Sequence, residues 1–198
     1  MEKQYRIAKI IRIITVAPLM ALILLTSLFF VLPEELGGIH FYLISVICLT
    51  VLPLIGYPLQ PFLPYFKSRG RDGQRTLAII MAVLGYFCSI IYAAVFQAPK
   101  MVWVVYLLYL LSGIGIMFFN KVLKVRASGH ACGVVGPVLL ASYYLGKKVF
   151  ALAIFLIAIV FWSSLKMKRH TKSQLFWGSM IPLGMFGLAI LITNMIIF

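Results

Sequence analysis

The chain of 198 residues is 63% hydrophobic and has a mean hydropathy of +1.07, which excludes an ordinary soluble domain. Its formal net charge is +14, but the cations occupy short segments between apolar runs rather than one continuous face. Composition therefore predicts an integral membrane protein with no nucleic-acid partner.

Seven apolar runs are long enough to be considered as membrane spans. A bilayer core of about 30 Å requires roughly 20 apolar residues per helix. By this measure the sequence predicts spans over residues 11–32, 40–58, 76–96, 101–119, 131–146, 148–165 and 176–198. The fifth is short and glycine-rich, so the expected fold class is an all-α, polytopic membrane helix bundle of six to seven transmembrane helices. The spans leave no room for a second domain, which indicates one domain over residues 1–198.

Residues 58–75 interrupt the apolar pattern with three prolines and four cations. Because proline and glycine end or bend helices, this segment is predicted to be a loop. Its position along the chain places it on the same side of the membrane as the N-terminus.

Charge is distributed very unequally between the two sets of predicted helix ends. One set carries 15 lysine and arginine residues, and the other carries 3. Since positively charged loops stay inside, the first set is predicted to face the cytoplasm and the C-terminus to face out. Leaving out the two histidine-bearing segments still gives 8 cations against 3.

Two histidines lie on the cation-rich side. His130 ends the tripeptide Ser128-Gly129-His130 just before the fifth span, and His170 precedes the last span. The two intervening spans run out and back, so both imidazoles return to one face of the membrane. Either histidine alone is better explained as an interfacial polar residue, whereas the pair favours a shared site. His40 lies on the opposite side without cations and is interpreted as interfacial.

Each of these two histidines has cations close by in the sequence. The first is preceded by Lys121, Lys124 and Arg126, and the second is surrounded by Lys166, Lys168, Arg169 and Lys172. Imidazoles exchange protons near neutral pH, and fixed cations hold the non-bridging oxygens of a phosphate. Backbone N–H groups at a helix start, here Ser128 and Gly129, add donors for an anion. The combination favours phosphoryl transfer from a lipid phosphate.

Gln174 lies one helical turn after His170 and is predicted to hydrogen-bond its ring and fix the tautomer. An interfacial glutamine explains the spacing equally well. Gly178, one turn further, would let a neighbouring helix approach. The chain has only 4 acidic residues, and they do not cluster, so no metal and no other cofactor is predicted.

Taken together, these residues resemble the type 2 phosphatidic acid phosphatase superfamily, which shares its core with vanadium haloperoxidases. Residues 127–130, Ala-Ser-Gly-His, are similar to its P-S-G-H motif, with alanine in place of proline. The K-x6-R-P motif is compressed into residues 120–126, where Lys121 or Lys124 stands for the lysine and Arg126 for the arginine.

Residues 163–174, SSLKMKRHTKSQ, are similar to the third motif, S-R-x5-H-x3-D. Ser164 stands in place of the motif arginine, and Gln174 in place of the aspartate. The run over residues 170–178 resembles the form found in dolichyl diphosphate phosphatases. The resemblance covers the motif-bearing core, about residues 60–198.

The resemblance implies a metal-independent phosphatase for a lipid or isoprenoid phosphate or diphosphate. His170 would attack phosphorus to form a phosphohistidine, and His130 would protonate the leaving oxygen. The groups implied to hold the phosphate are Lys121, Lys124, Arg126, Arg169 and the backbone of Ser128 and Gly129. Arg169, Lys168 or Lys166 would replace the arginine absent at position 164. Asp72-x-x-Arg75 also resembles a pair that precedes the motifs in some prokaryotic members.

The implied partner is a membrane lipid, either a prenyl diphosphate or a lipid of the phosphatidic acid type. The expected location is the plasma membrane of a prokaryote, with a cytoplasmic active site. Two alternatives stay open: a non-catalytic lipid-phosphate carrier or flippase, and a phosphotransferase that uses the same site. The sequence does not predict an oligomeric state.

Overall fold

The computed structural model describes residues 2–197, which form helices joined by short connections. The helices are α1 (Glu2–Ile14), α2 (Ala17–Val31), α3 (Gly38–Val46), α4 (Leu52–Leu59), α5 (Pro64–Lys67), α6 (Gly70–Val95), α7 (Lys100–Met117), α8 (Gly129–Leu145), α9 (Lys147–Lys166) and α10 (Lys172–Ile196). Two π-helical turns, Ile47–Val51 and Phe118–Val122, and one 3₁₀ turn, Gln60–Phe62, complete them. The all-α prediction is confirmed for the part of the chain described.

Among residues 2–197, five continuous helical segments are long and apolar enough to cross a bilayer. They are Gly38–Phe62, Gly70–Val95, Lys100–Val122, Lys147–Lys166 and Lys172–Ile196. The bent pair α1–α2 brings the number to 6, and α8 is a shorter apolar helix of 17 residues. The protein is therefore an integral membrane helix bundle.

The first predicted span, residues 11–32, is not one straight helix. α1 and α2 meet at an angle of 59°, and Val16 between them has extended backbone (φ −63°, ψ 146°). Pro18 lies in the first turn of α2. It has no N–H to continue the ladder of α1, and its ring would clash with the carbonyl of Ile14, so the chain must bend here. The first part of the span instead belongs to a separate basic helix.

The loop predicted over residues 58–75 is also shorter than expected. It contains the 3₁₀ turn and the short helix α5, and α6 already begins at Gly70. The Gln60 side chain donates hydrogen bonds to the carbonyls of Phe66 (2.9 Å) and Gly70 (3.4 Å), which holds the connection in a compact form. Arg75 consequently lies on a helix and not in a loop.

α7 forms the centre of the bundle. Half of its apolar window is buried inside the protein, against 22–33% for the other long helices. Tyr106 is fully buried on this helix, and its hydroxyl lies 2.7 Å from that of Ser45 on α3. Because each hydroxyl has a hydrogen-bond partner, this buried polar pair sets the register of α7 against α3 with little loss of stability.

Candidate functional site

His170 lies in the connection between α9 and α10, and Gln174 fixes its ring. His170 Nδ1 is 3.1 Å from Gln174 Oε1, as predicted from the spacing. The Thr171 N–H also donates to Gln174 Oε1 (3.4 Å), while the Gln174 N–H donates to Thr171 Oγ1 (3.3 Å), forming a capping box. Gln174 Oε1 is an acceptor, so Nδ1 carries the proton and Nε2 carries the free lone pair.

The start of α8 is held directly against α10. The Ser128 N–H donates to the carbonyl of Gln174 at 2.9 Å, and Ser128 Oγ accepts from the Ala131 N–H at 3.2 Å as the helix cap. A Cβ at Gly178 would lie 2.4 Å from the Ser128 carbonyl oxygen. The prediction that Gly178 lets a neighbouring helix approach is therefore confirmed, and this contact brings the two histidine segments together.

His130 lies in the first turn of α8, where Thr15 orients its ring. His130 Nε2 is 3.3 Å from Thr15 Oγ1. The Thr15 hydroxyl donates its own proton to the Ile11 carbonyl at 2.7 Å, so it accepts from Nε2–H. His130 Nδ1 is left as the atom that can exchange a proton with a ligand. A Cβ at Gly129 would meet no atom, so open space adjoins the residue before His130.

The N-terminal helix docks on the third motif-like segment through two adjacent serines. Ser163 Oγ donates to the Ala8 carbonyl at 2.7 Å, in a buried contact between α9 and α1. Arg12 Nη1 lies 3.4 Å from Ser164 Oγ and donates to it. Arg12 thus reaches the position at which the family motif carries an arginine.

The charged surroundings of His170 come from three separate parts of the chain. Burial is the largest cause that lowers the pKa of His170, and the hydrogen bond with Gln174 acts against it. The positive charges of Arg12, Arg75 and Arg169 lower the pKa further. The imidazole is therefore kept neutral at neutral pH, which is the form that can act as a nucleophile. His130 lies close enough to Arg12 and His170 to interact electrostatically with each of them.

No carboxylate offsets these cations. Within residues 2–197, the single ion pair joins Arg6 to Glu2 at 2.6 Å on the exposed side of α1. The same residues contain no group of three histidine, cysteine, aspartate or glutamate side chains that could hold a metal ion. Three guanidinium groups and two imidazoles thus meet without a protein counter-ion, and such an arrangement favours an anionic ligand.

The cations predicted before the first histidine lie elsewhere. Lys121, Lys124 and Arg126 are exposed in the connection between α7 and α8. Asn120 anchors this connection: its side chain donates to the Ala127 carbonyl (3.2 Å) and accepts from the Ala127 N–H (2.8 Å). In the described part of the chain, none of the three basic side chains makes a hydrogen bond, and none is among the groups whose charge interacts with either imidazole.

Sequence reasoning missed three residues that the fold brings to this site: Arg12, Thr15 and, as a participant in binding, Arg75. Arg75 had been noted only as part of the Asp72-x-x-Arg75 pair. One signal for Arg12 was present in the sequence, since it is the last cation of a basic segment that precedes an apolar run. No spacing rule connects position 12 to position 164.

Fold and site together define an all-helical integral membrane protein with a cationic, histidine-containing site at one end of its bundle. No protein-family model, no curated protein and no solved structure significantly matches this chain.

Proposed function

We propose that the protein is a membrane-embedded phosphatase that hydrolyses a lipid or isoprenoid phosphate or diphosphate through a phosphohistidine. The observation that carries the proposal is the group of two imidazoles and three guanidinium groups with no carboxylate among them. A phosphate supplies the negative charge that this group lacks, and guanidinium forks match its oxygens.

In the first step, His170 Nε2 attacks phosphorus and an N–P bond forms. The P–O bond to the lipid breaks, and its electron pair goes to the leaving oxygen, which takes a proton from His130 Nδ1; the negative charge of the bound phosphate favours this protonated form of His130. In the second step, water attacks phosphorus, gives its proton to His130, and the N–P bond breaks. Inorganic phosphate and the dephosphorylated lipid are the products.

The arginines hold the non-bridging oxygens while charge moves through the transition state. Arg12 is fixed by Ser164, and Gln174 holds His170 so that Nε2 faces the phosphate. Gly129 leaves room for an oxygen beside His130. The Ser128 N–H is already bonded to α10, so its contribution is to position the helix start.

The substrate is a lipid phosphate of the bilayer, with prenyl diphosphates favoured slightly over phosphatidic acid because of the glutamine-bearing third motif. The site faces the cytoplasm of a prokaryotic cell, since the ends that form it carry 15 cations against 3 at the other ends.

Phosphate release by the purified protein tests the proposal. Farnesyl diphosphate, longer prenyl diphosphates and phosphatidic acid should be assayed with and without EDTA, with His170→Ala as the control. We expect release that withstands EDTA and is absent from the variant. Activity that EDTA abolishes and magnesium or zinc restores would disprove the metal-independent mechanism. Transfer of the phosphate to a lipid acceptor instead of water would identify a phosphotransferase. A His170→Ala protein that still transports the lipid would identify a carrier.

The orientation can be tested with single cysteines at the two ends of the bundle. Lys172→Cys and Lys100→Cys are introduced after Cys48, Cys88 and Cys132 have been replaced. In intact cells an impermeant thiol reagent should label position 100 and reach position 172 only after permeabilisation. The reverse labelling pattern would place the site outside the cell.

A further inference from the structure

A cavity of about 490 Å³ lies at the bend between α1 and α2 and adjoins the histidine site. Its wall combines two kinds of surface. The basic part is formed by Lys9, Arg12 and Arg169, and the apolar part includes Leu19, Leu54 and Tyr57 from α2 and α4. We refer to this space as the elbow cavity.

Arg12 belongs to both the elbow cavity and the histidine site. Its side chain is half-buried, lines the cavity and donates a hydrogen bond to Ser164 Oγ at 3.4 Å. Its positive charge lowers the pKa of His170. Arg169 likewise lines the cavity, and its positive charge lowers the pKa of His170. Arg169 directly precedes His170 in the chain, so a phosphate held by these two guanidinium groups would lie next to the imidazole while its apolar chain lies in the cavity.

A larger apolar groove of about 640 Å³ between α8, α9 and α10 lacks this connection. Lys172 is the one charged residue in its lining, and neither Arg12 nor Arg169 lines it. The elbow cavity has no acidic residue in its lining and three cations, so its charge complements an anionic head group.

We infer that the elbow cavity is the binding site for the apolar chain of the substrate, an amphiphile whose phosphate is held by Arg12 and Arg169. This inference rests on the proposed phosphatase function and adds the route by which a lipid reaches His170. The lipid would arrive from the bilayer beside the bend between α1 and α2, where the cavity lies.

The test compares two substrates and two tryptophan variants. Leu54→Trp narrows the elbow cavity, and Leu139→Trp, also a partly buried leucine, narrows the α8–α10 groove. For Leu54→Trp we expect KM for dodecyl phosphate to rise about tenfold, because the indole overpacks the apolar part of the site. Para-nitrophenyl phosphate, which has no chain, should keep its kcat/KM. Leu139→Trp should leave both substrates unchanged.

An equal effect of Leu54→Trp on both substrates, or a chain-dependent effect of Leu139→Trp, would overturn the inference.

A second measurement uses the unmodified protein and needs no turnover. Dodecyl phosphate with a photoreactive diazirine at the end of its chain should cross-link to α2 or α4, and excess unlabelled dodecyl phosphate should suppress this. Cross-linking to α8 or α9 instead would also reject the elbow cavity. Cross-linking at the elbow without phosphate release would disprove the phosphatase and leave the binding site intact.

Discussion

The two ends of the bundle both carry polar cavities, but their charges differ. At the end opposite the histidine site, a cavity of about 430 Å³ is lined by Glu35 and Lys100 together with Tyr143, Tyr144 and Asn194. One acid and one base balance each other there. At the histidine end, the guanidinium groups around His170 have no carboxylate to offset them.

This difference indicates that polarity at a membrane surface does not by itself mark a site. Interfacial residues such as Tyr143 and Lys100 anchor helices at the membrane boundary. An excess of fixed cations beside two partly buried imidazoles raises the free energy of the site, and a bound anion offsets this. The comparison therefore predicts that substitutions at the histidine end change activity and matched substitutions at the opposite end do not.

The largest contrast is expected between two histidines. His170→Ala should lower phosphate release at least about 10⁴-fold, because losing a nucleophile removes the covalent route. His40→Ala, an exposed histidine at the other end, should retain full activity. Phosphate release and an acid-labile phosphoenzyme are the two measurements. A phosphoenzyme that persists in His170→Ala would show that another residue is the nucleophile.

Arg12→Ala should lower kcat/KM about 100-fold, the usual effect of removing one donor to transition-state charge. Adding Ser164→Arg to this variant should restore part of the loss, because it supplies a guanidinium from α9 at the point that Arg12 now reaches. Lys100→Ala at the opposite end serves as the control. If Arg12→Ala keeps the kcat/KM of the unmodified protein, the N-terminal helix does not contribute to catalysis.

A smaller difference is expected between two cations of the histidine end itself. Arg75→Ala should lower kcat/KM about fivefold, since an exposed charge near His170 contributes on the order of 1 kcal/mol. Lys124→Ala should stay near the activity of the unmodified protein, because Lys124 points from an exposed connection and contacts neither imidazole. A larger loss for Lys124→Ala would support the motif assignment over the observed geometry.

The smallest effect is a shift in the pH profile. Attack requires neutral His170, whose pKa is below its usual value of 6.5 through burial and the nearby arginine charges. The acid limb of kcat/KM should therefore lie below that value. Arg75→Ala removes a positive charge, raises the pKa and should move the limb to higher pH. Gln174→Leu removes the hydrogen bond that raises the pKa and should move it lower. Unchanged profiles would show that His170 does not control this limb.

Local patterns predicted part of the site correctly. The Gln174 contact with His170 and the close approach at Gly178 both follow from spacing along one helix, where geometry is set by the helical repeat. The first predicted span is divided between α1 and α2, because hydropathy over a window does not register the bend that Pro18 imposes. The side chains of Lys121, Lys124 and Arg126 are exposed, and proximity in sequence does not decide which way such a connection turns.

The sequence by itself determined the membrane class and the helical fold, because apolar length acts along the chain. Only the tertiary structure decided which cations surround His170. Arg12 and Ser164 are 152 residues apart, and their contact depends on α1 bending away from α2 and docking on α9. Such a contact arises from packing among several helices, for which a linear pattern carries no information.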